Sequence, residues 1–277
     1  MVAFPPAKIN LGLYITGKRP DGYHDLSTLF LPIDLCDAIE CMVAPPDSKE
    51  DVQFTATGLS VAGSLQDNLC VRAWHLLRKQ DPSLPRVQMH LHKVIPMGAG
   101  LGGGSSDGST MLLLLQGLSQ NEIPMSILRE AALELGSDCP FFLHPVPSLA
   151  TGRGEILTPV QVALQGYKVW LVHPGLHIST AAAFARVQPQ PMKVDLPTLI
   201  QQPITEWRHR ISNQFEASVF SMHPELSSLK EKIYAAGALY ASMSGSGSSL
   251  YGIFPPNAAC PDIQFPGSTQ HWVNILI

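Results

Sequence analysis

The chain has 277 residues, a length for one large domain or two of ordinary size. It is 45% hydrophobic and 14% charged, apolar enough for a real core and unlike a disordered or low-complexity chain. Its 18 Lys and Arg against 22 Asp and Glu leave a net charge of −4, and no stretch groups cations as a nucleic-acid binder requires.

The longest aliphatic run, Met111 to Leu115, is far short of the ~20 residues needed to cross a bilayer. The N-terminus lacks the basic-then-apolar order of a secretory signal. Cys36, Cys41, Cys70, Cys139 and Cys260 are scattered without any C-x-x-C spacing. Free thiols in a reducing cytoplasm are expected, with neither a disulfide framework nor a zinc site.

From residue 7 to 15, Ile9, Leu11, Leu13 and Ile15 alternate with Lys8, Asn10, Gly12 and Tyr14. That period of two predicts a strand projecting Lys8 and Asn10 together. Pro20, Asp21 and Gly22 set a turn within 17–23. Strands are predicted over 26–33 and 38–43, a helix over 68–77, and a strand over 87–94 that Pro96 ends. Ser105 or Ser106 is expected to cap a helix whose interior, 111–118, is apolar all round and therefore buried. A second helix over 127–135 ends at Gly136, the residue a helix C-terminus favours. Strands follow near 155–160 and 168–173, helices near 180–187 and 225–236, and a strand over 249–254. Strands and helices are mixed without regular alternation, which predicts an α+β fold. His144, Pro145, Val146 and Pro147 break the pattern, so a boundary is expected near 145–155, with lobes over residues 1–150 and 151–277.

Between strand and buried helix lies the most informative stretch: Pro96, Met97, Gly98, Ala99, Gly100, Leu101, Gly102, Gly103, Gly104, Ser105 and Ser106. Glycines let backbone N–H groups approach a phosphate, and a helix N-terminus adds partial positive charge. A merely flexible loop leaves the strand before and the helix after unexplained. Gly98, Gly100 and Gly103 satisfy the dinucleotide pattern G-x-G-x-x-G. That pattern needs an acidic residue ~20 positions on, closing a second strand. Glu122 has the distance but falls between two helices. Gly104 stands where the lysine of a Walker A loop belongs.

Two further segments attract attention. Ser242 to Ser249 is a run of small residues leading into a strand; it closes over a phosphate, packs against the first loop, or is a plain turn. Lys8, Asn10 and Asp138 are the third group. Taken singly, an exposed strand lysine and a carboxylate satisfying nearby backbone donors are the simpler readings.

In order and spacing, these three segments resemble the motifs of the GHMP small-molecule kinases. The opening P-A-K-I-N-L-G-L-Y-I-T-G-K-R-P-D-G-Y-H at 6–24, G-S-D-C-P-F-F at 136–142, G-E-I-L-T-P at 154–159 and P-G-L-H-I-S-T at 174–180 narrow the likeness. They match the member whose alcohol substrate carries a cytidine diphosphate moiety and feeds isoprenoid biosynthesis. The resemblance implies a two-lobed α+β fold, with ATP and substrate bound between an N-terminal ATP-binding lobe and a C-terminal lobe. It also implies ATP-dependent phosphorylation of the substrate's 2-hydroxyl, giving ADP and the 2-phosphate.

On the same resemblance Asp138 is the general base and Lys8 its electrostatic partner. Residues 96–106 hold ATP, with Mg²⁺ carried on the nucleotide and no metal site of the protein's own. Tyr23, His24 and Phe184 sandwich and read the base, and Asn10 and Thr180 are polar substrate contacts. The chemistry agrees with these roles. A hydroxyl nucleophile needs a carboxylate in reach, and a nearby ammonium keeps that carboxylate ionised. Aromatic faces suit a nucleobase.

The sequence departs from the family pattern at Gln214, where Asp is common, and at Gly108, where Ala is usual. No expectation attaches to the Pro-rich tail after Phe254. The rivals are a related kinase for another alcohol, where a base-reading Tyr–His pair would be pointless, and a non-catalytic nucleotide-binding protein, against which Lys8 and Asp138 stand. A nucleic-acid-binding domain is opposed by the charge.

Overall fold

Alternation in the opening residues produces strands longer than the pattern alone sets. The computed structural model describes residues 1–184, 186–189 and 195–277. In its first half β1 (Val2–Ala3), β2 (Pro6–Lys18), β3 (His24–Cys36), β4 (Ala38–Val43) and β5 (Val52–Gly58) precede α1 (Leu69–Gln80). Asn68 starts α1 as a side-chain cap, accepting from Cys70 N at 2.9 Å. Then come β6 (Val87–Lys93), α2 (Gly103–Leu118), α3 (Met125–Leu135) and the single turn α4 (Cys139–Phe142).

The second half holds β7 (Ser148–Thr151), β8 (Ile156–Pro159), β9 (Lys168–His173), α5 (Thr180–Phe184) and α6 (Leu196–Leu199). It closes with α7 (Phe215–Met222), α8 (Pro224–Ala235), β10 (Tyr240–Met243), β11 (Leu250–Phe254) and β12 (Thr269–Asn274). The mixture is α+β, as expected.

The chain divides into two compact units, each discontinuous in sequence. The first comprises Met1–Ala7, Leu35–Met97 and Gly102–Pro145. The second comprises Lys8–Asp34, Gly98–Leu101 and Val146–Ile277. The expectation was a single break near 150. The division at Pro145 falls in the window set by the prolines, but β2, most of β3 and the middle of the glycine loop group with the second unit. Nothing local in those segments announces which core they join.

In the first unit the sheet order is β1-β4-β6-β5, with β4 antiparallel and β5 parallel to β6. One face of that sheet packs on α1 and α2, and α3 packs on those two helices. Ile39, Cys41, Met89 and Leu91 meet Val71, Trp74 and Leu77 of α1 and Leu112 and Leu115 of α2 in one buried cluster. Each fully buried Leu or Ile contributes about 1.5–3 kcal/mol, which is why the apolar interior of α2 fixes the position of its start. Gly108 has a packing reason. A Cβ there would lie 2.8 Å from Leu69 Cβ and 3.3 Å from Leu135, so alanine would push on α1 and α3.

The second unit carries two sheets among the described residues, β2-β3-β7-β8 and β10-β11-β9-β12. Its core joins Leu13, Ile15, Trp170, Val172, Phe215 and Leu250. The tail, for which the sequence raised no expectation, returns as β12 and pairs antiparallel with β9. The helix expected over 180–187 is observed as α5, which stops at Phe184; residue 185 lies outside the described residues.

One expected helix end is corrected and another is met. Neither Ser105 nor Ser106 caps α2: the N-cap is Gly102, at φ 71°, and both serines sit inside the first turn. The left-handed glycine reverses the chain sharply enough for the helix to start three or four residues early. Gly136 does end α3, but at φ 171° it is extended rather than left-handed.

Candidate active site

In the first unit the glycine loop is held at its two flanks. Pro96 and Met97 leave β6, and Gly102 returns the chain into α2. Ser106 N closes the first helical turn on Gly102 O at 2.9 Å. The next amides at the helix start, on Gly103, Gly104 and Ser105, have no partner one turn back, which is what an anion-binding helix terminus needs. Gly103 is buried, and a Cβ there would fall 2.8 Å from Ile95 Cγ2 and 3.0 Å from Lys93 Nζ. Gly104 faces open space and borders a cavity of about 130 Å³. The cavity walls include Val61, Asn68, Leu69, Leu91 and Met97, with Lys93 and Asp107. It is small, mostly apolar and next to the helix start.

Lys93 was not among the residues the sequence singled out, yet it is buried and bonded to two carboxyls. Its Nζ donates to Asp37 Oδ2 at 2.5 Å and to Asp107 Oδ2 at 2.7 Å, and all three side chains are buried. Burial pulls the Lys93 ammonium down, but Asp107 and Asp37 outweigh it and the net direction is up. Burial, then the like charge of Asp37, pushes the Asp107 carboxyl up to about 7 against the opposing pull of Lys93. Asp107 Oδ1 has no hydrogen-bond partner.

Asp138, also in this unit, is half-buried at the N-terminus of α4. It makes no cap bond to that helix.

In the second unit Lys8 is 3% exposed, not the exposed strand lysine of the simpler reading. Its Nζ donates to Asn10 Oδ1 at 2.5 Å and to Gly100 O at 3.3 Å, and lies 4.8 Å from the centre of the Phe30 ring. Asn10 Nδ2 donates to Thr28 Oγ1 at 3.0 Å, so both ends of that amide are engaged.

The Ser–Gly run packs against the middle of the glycine loop. Ser244 Oγ donates to Gly100 O at 2.8 Å, and Ser249 N donates to Ala99 O at 3.2 Å. A Cβ on Gly100, at φ 79°, would sit 2.0 Å from Ser244 O, so no other residue fits there. The run is held from below. Asn213 Nδ2 donates to Met243 O and Gly245 O at 2.8 Å each, and Glu216 Oε1 accepts from Ser242 Oγ and Met243 N. Gln214 Oε1 accepts from Ile15 N at 2.6 Å, a backbone contact that needs an acceptor rather than a charge.

The turn after β2 presents the aromatic residues. Tyr23 is 54% exposed, and the Arg153 guanidinium lies 4.8 Å over its ring. His24 stacks on Phe184 with centroids 5.0 Å apart and planes at 24°. Phe184 turns its edge contact to Phe215 at 4.8 Å, so it is tied to the core and presents a face as well. Thr180 opens α5, but its side chain lies outside what is described.

Comparison with known proteins defines the class. The N-terminal domain of the GHMP kinases matches residues 68–145 and their C-terminal domain matches residues 196–260. The chain belongs to the GHMP kinase family, in the group of the 4-diphosphocytidyl-2-C-methyl-D-erythritol kinases. The kinase of that name from Bacteroides thetaiotaomicron is 44% identical over 262 residues, 95% of each chain. Its counterpart from Cytophaga hutchinsonii is 42% identical over 255 residues, 92% of each. A crystal structure of 4-(cytidine 5'-diphospho)-2C-methyl-D-erythritol kinase superposes with a TM-score of 0.80 at 31% identity, covering 99% of both chains. The mevalonate kinase of Methanococcus jannaschii shares the fold, with a TM-score of 0.71 at 12% identity over 100% of this chain and 98% of that one.

Proposed function

We propose that this chain transfers the terminal phosphoryl group of ATP to the 2-hydroxyl of 4-diphosphocytidyl-2-C-methyl-D-erythritol, a step in isoprenoid precursor synthesis. The observation that carries this is the 44% identity across 95% of the chain to kinases of that name. Membership of the GHMP kinases supplies the use of ATP.

The residues divide the work as follows. The amides at the start of α2 and the backbone of 96–106 receive the phosphates. The apolar cavity beside Gly104 takes the nucleoside end, with Leu69, Leu91 and Met97 as its walls. Mg²⁺ carried on the nucleotide would supply charge to offset that of the phosphates. Asp138 accepts the proton of the 2-hydroxyl as the oxygen–phosphorus bond forms and ADP departs. Lys8, oriented by Asn10 and Gly100, stabilises the charge that develops. Tyr23, His24 and Phe184 hold the cytosine, with Asn10 and Thr180 as polar contacts to the rest of the substrate. The ATP requirement supports a cytoplasmic place of work; among the described residues no helix is long and apolar enough to cross a membrane.

The test is release of ADP with the cytidine substrate beside mevalonate and homoserine. Turnover is expected with the first alone. Turnover of mevalonate or homoserine without the cytidine compound would overturn the substrate.

A further inference from the structure

We propose that Asp37, which lies on neither the glycine loop nor the cavity wall, is the positioning residue that presets the loop for nucleotide. The proposal rests on reading that loop as the ATP cradle. Asp37 sits in the one-residue gap between β3 and β4 and is 1% exposed. Its two oxygens do different jobs. Oδ1 accepts from Val94 N at 2.5 Å and Ile95 N at 2.8 Å, the last two amides before Pro96. Oδ2 accepts from Lys93 Nζ, which reaches on to Asp107 in the first turns of α2. One carboxylate therefore ties the strand that enters the loop, by its backbone, and the helix that leaves it, through Lys93.

Three observations argue that this is a device for geometry rather than for stability. A buried ion cluster is seldom a net gain over apolar packing, because each charge must first lose its water. Here two carboxyls share one ammonium, and Asp107 Oδ1 is left without a partner. Gly103, at the helix start, lacks the Cβ that would fall 3.0 Å from Lys93 Nζ, so the ammonium packs directly against the backbone whose amides face the phosphate. A cradle made of backbone amides works only if those amides are aimed before the ligand arrives.

The experiment compares wild type, Asp37→Asn and Asp37→Ala by direct ATP titration, by KM for ATP and for the cytidine substrate, and by thermal melting. Asp37→Ala should raise the Kd and KM for ATP about tenfold or more, with kcat at saturating ATP and the KM of the cytidine substrate near wild type. Asp37→Asn keeps an acceptor for both amides and should recover most of that affinity, leaving a rise of about threefold. A merely structural Asp37 would lower Tm and the active fraction, hence kcat, while KM for ATP stayed put; that result overturns the proposal. So does equal ATP affinity in all three proteins. Should the alanine variant not fold, Asp37→Asn decides: a selective rise in KM for ATP supports the proposal and no rise overturns it. Wild-type protein that binds no ATP would sink the cradle reading itself, a failure distinct from the other two.

Discussion

The flanks of the glycine loop and the Tyr23–His24 turn are built in opposite ways. The first rests on buried charge: Asp37, Lys93 and Asp107 are 1%, 2% and 4% exposed and share short, directed contacts. The second rests on half-exposed rings and surface ions. Tyr23 lies under Arg153, and Arg19 pairs with Asp21 and Asp25 at 3.0 Å each, contacts that water and salt screen. Under the proposed function the contrast has a reason: phosphate oxygens demand amides at fixed positions, and the loop assigned to them is locked into a core. A flat pyrimidine demands only faces that can close on it, and the turn proposed to hold it is left accessible. Substitutions in the first region should act through packing and buried charge, and in the second through contact area.

The largest effect is expected at the residue that belongs to neither region. Asp138→Asn keeps the shape and removes the base, and should lower kcat about 10²–10⁴-fold while ATP still binds. Lys8→Met should also lower kcat. If the two act as one unit, the double variant loses less than the sum, a coupling that steady-state kinetics reads directly. An Asn variant within a few-fold of wild type would leave Asp138 without a chemical role.

Next comes the locked region. Gly103→Val places methyl groups where even a Cβ meets Ile95 at 2.8 Å, and should weaken ATP binding about 100-fold or more while the cytidine substrate still binds. Titration with each ligand separates the two. Tyr23→Ala, in the open region, should give the reverse pattern. It removes about 1–3 kcal/mol of stacking, visible as a higher KM for the cytidine substrate with ATP affinity unchanged. Equal losses for both ligands in either variant would erase the contrast between the regions.

The smallest effect is on stability. Burial, with the like charge of Asp37, pushes the Asp107 carboxyl up to about 7, above its ordinary 3.8, so the folded state holds the extra proton between those values. Its contribution is present in full below about pH 4 and is lost as pH rises toward 7. Asp107→Asn should therefore gain on wild type in a denaturant titration at pH 8 relative to pH 5.5. A difference that does not change with pH would mean the carboxylate is already ionised at the lower pH.

What the sequence made legible follows from the range of the forces involved. The strict alternation around Lys8 and Asn10 is a local signal, and β2 is where it points. The glycine run and the apolar stretch after it announce a loop running into a buried helix, and α2 is that helix. The helix start was misplaced because a serine cap is a statistical preference, whereas Gly102 at positive φ is a steric permission that ends the matter. Lys93 and Asp37 stayed hidden because each looks ordinary where it stands. One closes an alternating strand and the other sits in a short connection, and the bond between them spans 56 positions. Likewise β12 has little alternation of its own and exists because β9 offers an edge. The roles of Asn213 and Glu216 emerge only when the Ser–Gly run is seen lying on them.

Phosphorus NMR of the wild-type reaction tests the central claim most directly. With ATP and 4-diphosphocytidyl-2-C-methyl-D-erythritol, one new phosphomonoester should appear on the 2-oxygen, in step with ADP, while the cytidine diphosphate signals persist. ADP formed without that resonance, or a phosphate on another oxygen, would contradict the assigned reaction.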